Sequence, residues 1–261
     1  MKHSVPGSKK SQSMRIVGLF CLAVGILVCV SLFFKFATVI AKSTFDGQHR
    51  FTILQRGNPV RFYSFAPDSN TISVLDVVTE SKTPEKLIAI PVDTAINDME
   101  YHPDSTEVEE YLRHVFFSIN GLQTNMTALD VFRLWLFSRS VHANDIIVEK
   151  IEDISKFGRL NAKLFSDETI IQEDKSIQII NATGVVGVGN DFSEQLSTIG
   201  GNVISVTTAR KIVPKTIIQY YGESSYTLQK IEKMLHKKAT SLQKQGISDI
   251  IIILGKDSVQ P

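Results

Sequence analysis

The hydrophobic pattern changes character twice along the chain. From Ile16 to Phe34, nineteen consecutive residues carry no charge. At about 1.5 Å of rise per residue, that length just crosses a hydrocarbon core of about 30 Å. The pattern predicts a membrane helix over residues 16–36, preceded by a polar, basic tail over 1–15. From Phe51 onward, short apolar runs alternate with turn-forming residues. Phe51–Leu54, Val60–Phe65 and Thr71–Val78 have strand character, separated by Gly57-Asn58-Pro59 and Pro67-Asp68-Ser69-Asn70. A fourth run, Leu87–Ile90, leads into Pro91-Val92-Asp93-Thr94. Helical spacing follows over Thr106–Phe117, with Glu107, Glu109 and Glu110 in the first turn, where the helix dipole favours anions. A second helix, Ala128–Ser138, is apolar around nearly its whole circumference, the pattern of a buried core helix. With a strand over Ile146–Ile151, these elements make one unit over 48–154. Residues 155–175 are polar and irregular, as in a linker.

The last third, residues 176–257, has the clearest order. A strand at Ile177–Ile180 runs into Asn181-Ala-Thr-Gly184-Val-Val-Gly187-Val-Gly189. A helix follows with Val188, Phe192, Leu196 and Ile199 on one face, stopped by Gly200-Gly201. Val203–Val206 and Thr216–Tyr221 predict two strands. Leu228, Ile231, Leu235 and Leu242 predict a second helical face, and Ile250–Leu254 a closing strand. This βαββαβ order is that of a ferredoxin-like sandwich, two helices over a four-stranded antiparallel sheet. The fold class expected is therefore α+β: an N-terminal transmembrane helix, then two small α/β units.

Charge sharpens the topology. Six of the 28 basic residues and none of the 27 acidic ones fall before position 43. The remaining 22 basic residues leave the rest of the chain at −5, which argues against a nucleic-acid partner. Lys9, Lys10 and Arg15 before the apolar run predict a cytoplasmic N-terminus, with the bulk of the chain extracytoplasmic in the cell envelope. The rival, a signal peptide cleaved near Val39-Ile-Ala41, has a shorter apolar core than this run. Gly18 and Gly25 do not form a small-residue dimer motif. Both cysteines, Cys21 and Cys29, lie inside the apolar run, so no disulfide or thiol nucleophile is expected in the units beyond it.

Two sets of residues have binding chemistry. Gly184, Gly187 and Gly189 sit between a strand and a helix, where backbone N–H groups can meet a phosphate. Their spacing is not that of a dinucleotide fingerprint, and no Lys-Ser/Thr follows as in a P-loop. A tight strand-to-helix turn is the favoured account of them. Lys230, Lys233, Lys237 and Lys238 give the second helix a basic face suited to an anionic wall polymer or to lipid headgroups, and a solvated surface is the plain alternative. Asp93, Asp98, Glu100, His102 and Asp104 contain ligand-type side chains without the spacing of a calcium or zinc motif. No metal and no cofactor is expected. Asn125-Met-Thr127 and Asn181-Ala-Thr183 match the glycosylation triplet, but capping and turn roles explain them better.

The Asn181-Ala-Thr-Gly184 opening, the small residues entering the helix and the closing strand ending Leu254-Gly-Lys-Asp257 together resemble the C-terminal domain of LytR-type cell-envelope proteins. The resemblance implies an accessory module and brings no reaction with it. The middle unit, through Ala89-Ile-Pro-Val-Asp-Thr94 and Asn125-Met-Thr-Ala-Leu-Asp130, resembles a shortened LytR-CpsA-Psr catalytic domain. In that family an arginine at the position of Val92 helps hold a polyprenyl pyrophosphate, and acidic residues hold Mg²⁺. The substitution at Val92 and the short unit argue against transferring the activity. The expectation is a non-catalytic, membrane-anchored module for cell-wall polymer or an envelope protein. One alternative is a glycopolymer phosphotransferase using Asp93, Arg113, Arg133 and Arg139. Another is a structural subunit of a membrane assembly, which a large exposed apolar patch favours.

Overall fold

The computed structural model describes residues 9–57, 59–78, 89–98, 101–151, 164–244 and 246–259. The chain divides into two compact units, Met1–Ser43 and Thr44–Pro261. The first contains one helix, α1 (Lys9–Lys42), whose segment Val17–Lys42 is long and apolar enough to cross a membrane. The helix runs past the expected end at 36. Ala37, Val39 and Ile40 continue the apolar composition and no Gly or Pro interrupts it.

The second unit holds two sheets. The first contains β1 (Phe51–Arg56), β2 (Val60–Ala66), β3 (Thr71–Val77), β4 (Thr94–Asn97) and β5 (Ile146–Ile151), in the order β4-β1-β2-β3-β5. The meander β1-β2-β3 is antiparallel, and β4 and β5 flank it in parallel. Both faces are covered, which is why the meander strands are almost continuously buried, polar residues such as Gln55, Arg61 and Asp76 included. Ile53, Tyr63, Phe65, Ile72 and Val74 pack against α2 (Val108–Ser118) and α3 (Ala128–Ser140). Leu54, Phe62, Leu75 and Val77 pack on the other side with Ile90, Leu164 and Phe165. Half of the expected run Leu87–Ile90 lies outside the described residues, as does part of the segment 155–175, and Ala89 and Ile90 form no strand. The end of that segment forms a short helix, α4 (Glu168–Glu173), capped by Asp167 and anchored by buried Ile170. Helix α3 buries Val131 and Leu134 but leaves Phe132 and Leu136 exposed. Its all-round apolar sequence thus marks one core face and one open face.

The second sheet contains β6 (Ser176–Asn181), β7 (Asn202–Thr208), β8 (Ile217–Tyr221), β9 (Thr240–Leu242) and β10 (Ile250–Leu254). Helices α5 (Val188–Thr198) and α6 (Tyr226–Leu235) give the order βαββαββ, with β9 added to the expected four-stranded βαββαβ, and with α4 they cover one face through Ile170, Phe192, Leu196, Leu228 and Ile231. The strand order is β7-β6-β10-β8-β9. Pairing differs from the antiparallel ferredoxin-like arrangement: β6 pairs β7 and β10 in parallel, and only β10–β8 is antiparallel. The α5 crossover returns the chain beside β6 in the same direction, which makes the sheet mixed. The expected helical face through Leu242 stops at Leu235. His236 takes a left-handed conformation (φ 51°), and the Glu232 carboxylate accepts the Ala239 N–H, turning the chain into β9.

Candidate functional site

A cavity of about 470 Å³ opens where the first sheet meets α6. Its charged lining is Arg56, Asp93, Lys230 and Lys233, with His236 at its side and Thr94 and Asn125 as neutral polar groups. Of the three cations in this lining, Lys230 contacts the carboxylate. Asp93 is fixed from both sides. Its backbone N–H donates to the Thr52 carbonyl (3.0 Å), and its Oδ2 accepts the Thr52 N–H (2.9 Å). Its Oδ1 takes Lys230 Nζ at 2.6 Å, the two side chains being 16% and 8% exposed. A charge-assisted pair this dry couples the two sheets, because either charge alone would be buried without compensation.

The start of α6 is anchored so that Lys230 reaches Asp93. Glu173 accepts the backbone N–H groups of Tyr226 and Thr227, each at 2.7 Å, and Ser225 Oγ accepts that of Leu228. Burial works against ionisation of Glu173, but the hydrogen bonds from Thr227 and Tyr226 outweigh it and hold its pKa below the usual value. The Tyr226 ring stacks on His49 at 3.7 Å, and its hydroxyl donates to Asp167 Oδ2 at 3.0 Å. Burial pushes the Asp167 carboxyl up despite that hydroxyl and Lys230. Burial and the Asp167 carboxylate push the Tyr226 phenol up. These contacts tie the chain before β1 to the helix that carries the lysines.

The four lysines do not act as one face. Lys230 is buried on Asp93 and Lys233 lines the cavity. Lys237 pairs with Asp257 (2.9 Å), and Lys238, 92% exposed, pairs with Glu232 (2.9 Å). The glycines form a separate place. Gly184 and Gly187 have φ of 83° and 96°, and with Gly189, Asn181, Asn190 and Thr207 they line a hollow of about 250 Å³. Asn181 Oδ1 accepts from the Thr183 N–H and hydroxyl, its Nδ2 donates to the Val185 carbonyl, and Thr183 Oγ1 accepts the Val185 N–H. The loop satisfies its own polar groups, as a strand-to-helix turn does. The two sets share no lining residue.

The remaining sequence candidates disperse. Arg113 and Arg139 pair with Glu110 and Glu109 at the surface, and Arg133 donates to the Phe45 carbonyl at 3.0 Å. None of the three lines the cavity that holds Asp93. Asp98 lies 3.2 Å from His114, and Asp104 caps Thr106. His102 is 3.2 Å from Gln55, and Glu100 lies outside the described residues. Among the described residues, no three His, Cys, Asp or Glu side chains gather as a metal site. Arg56 was not singled out in the sequence, because a charge ending a strand looks like an ordinary solvent contact until β4 is placed beside it.

The fold defines the class: an α+β protein with one membrane-length helix and two α/β sheet units. Residues 174–257 match the family model described as LytR cell envelope-related transcriptional attenuator, so the C-terminal unit belongs to the LytR C-terminal-domain family. No curated protein matches the chain. Among solved structures, that of the Lin1025 protein from Listeria innocua is similar at 13% identity and a TM-score of 0.27, over 40% of this chain and 84% of that one. The domain and the N-terminal helix together fit a membrane-anchored envelope protein.

Proposed function

We propose that the chain is a single-pass membrane protein with a cytoplasmic N-terminus, which presents its two α/β units outside the membrane and acts by binding rather than catalysis. Its ligand is an anionic cell-wall polymer, held where Lys233, His236 and Arg56 line the cleft. An envelope protein carrying an acidic segment is the second occupant of the same chemistry. The observation that carries this reading is the cleft's charge balance, with Asp93 neutralised by Lys230 and Lys233 lining the same cleft. The same pairing weighs against the phosphotransferase alternative. That chemistry needs Asp93 available to a metal or a proton, and the three arginines nearby, yet Asp93 is engaged by Lys230 and the arginines lie elsewhere.

The test is retention of the full-length chain, in detergent micelles, on immobilised anionic wall polymer at low and physiological salt. Lys233→Glu is expected to weaken binding about tenfold, the effect of losing roughly 1.4 kcal/mol of charge attraction. Lys238→Glu, at an exposed position outside the cleft, should change it little. Equal losses in both variants, or no retention of the parent chain, would contradict the cleft as the binding site. Lys230 is unsuitable for this comparison, because its loss also breaks the pair with Asp93.

A further inference from the structure

The outer face of α2 and α3 carries an aromatic patch whose half-buried members, Phe116 and Trp135, also pack against the core. Phe117 is 80% exposed, Leu136 48% and Phe132 40%. Half-buried Phe116 and Trp135 join them. Ring centroids lie 5.5 Å apart for Phe116–Phe117, 6.2 Å for Phe116–Phe132 and 6.0 Å for Phe132–Trp135. The Arg139 guanidinium sits 5.1 Å from the Trp135 ring. Exposed apolar groups that touch one another in this way mark a surface that is covered in use. The nearby charges are largely self-compensating, Arg113 with Glu110 and Arg139 with Glu109. Contact area, rather than net charge, must therefore hold the occupant.

The start of α3 says what that occupant is. Asp130 Oδ1 accepts the backbone N–H groups of Thr44 and Phe45, each at 2.9 Å, and Arg133 holds the Phe45 carbonyl. Phe45 is three residues beyond Lys42, the last residue of the membrane-length helix. Three residues span at most about 10 Å of extended chain. Phe132 and Leu136 are thus on a helix fastened to the chain immediately after it leaves the apolar segment. Aromatic rings favour the boundary between lipid and water.

We infer that the Phe117–Phe132–Trp135–Leu136 face of α2 and α3 docks on the bilayer interface. The inference rests on α1 being a membrane anchor.

Trp135 is the single tryptophan of the chain, so its emission reports on the patch without a label. The full-length chain is reconstituted into phosphatidylcholine–phosphatidylglycerol vesicles, with and without lipids brominated near the head of the acyl chain. Flotation is measured on the same samples. The expected result is co-flotation, with Trp135 emission quenched about twofold by the brominated lipid and little affected by salt. Phe117→Asp with Phe132→Asp should abolish the quenching while flotation and the far-ultraviolet circular dichroism stay unchanged. Unquenched emission from chains that float would overturn the inference and leave the patch to a second copy or a protein partner. Chains that fail to float would contradict the anchor itself, and the inference with it.

Discussion

Asp93→Ala is expected to destabilise the second unit by about 3 kcal/mol, because it leaves Lys230 buried against the first sheet without a counter-charge. The cost should exceed that of the one hydrogen bond lost from the Thr52 N–H, since the backbone bond from Asp93 N–H to the Thr52 carbonyl survives the substitution. A neutral partner tests the cause. Adding Lys230→Met removes the orphaned ammonium and keeps most of the apolar stem, so the double variant should recover most of the loss. Denaturant midpoints of the four chains in the cycle give the coupling directly. A double variant no more stable than Asp93→Ala alone would mean that the pair does not hold the sheets together. The pair joins elements 137 positions apart, which makes it a long-range closure and not a local contact.

Asp130→Ala is expected to cost about 3–5 kcal/mol. Asp130 is fully buried and receives four hydrogen bonds, from the Thr44 and Phe45 N–H groups on one oxygen and from the Thr127 N–H and hydroxyl on the other. Thr127 returns a bond to the Asp130 N–H, closing a capping box at the start of α3. Removing the carboxylate leaves several donors unpaired in the interior, and each unpaired group costs roughly 1–3 kcal/mol, with partial relief from water. Asp130→Asn should be milder, since its carbonyl still accepts one set of bonds. Thermal melting of the two variants against the parent checks the order. An Ala variant within about 0.5 kcal/mol of the parent, the range of ordinary surface changes, would contradict the brace.

Much of the fold was legible because local pattern and burial agree. The strands of the first meander follow their apolar runs, and α5 buries the Phe192 and Leu196 face that its spacing marks. What failed to show was decided by side-chain partners and backbone turns, near and far in sequence, that leave no hydrophobic pattern. Lys230, Lys233, Lys237 and Lys238 form one basic stripe in the sequence, yet the helix ends at Leu235, and Asp93, Asp257 and Glu232 draw Lys230, Lys237 and Lys238 to different places. The helical period through Leu242 is overruled by a left-handed His236 and a side-chain catch on Ala239, neither of which has a hydrophobic signature. Strand direction in the second sheet depends on how the crossovers pack, and the element order βαββαβ leaves that open. The expectation that helix 128–138 is buried all round fails at Phe132 and Leu136 for a related reason: composition shows that a helix can be buried on every side, but not that only one layer lies against it.

The measurement that tests the central claim most directly is the side of the membrane on which the α/β units lie. Ser224, exposed just ahead of α6, is replaced by cysteine in a chain with Cys21 and Cys29 changed to alanine, and intact cells are treated with a membrane-impermeant maleimide. A membrane-anchored envelope protein with a cytoplasmic N-terminus predicts full labelling at Ser224→Cys without permeabilisation, on a chain that stays in the membrane fraction. Labelling that appears only after the membrane is opened would place these units inside the cell and contradict the account.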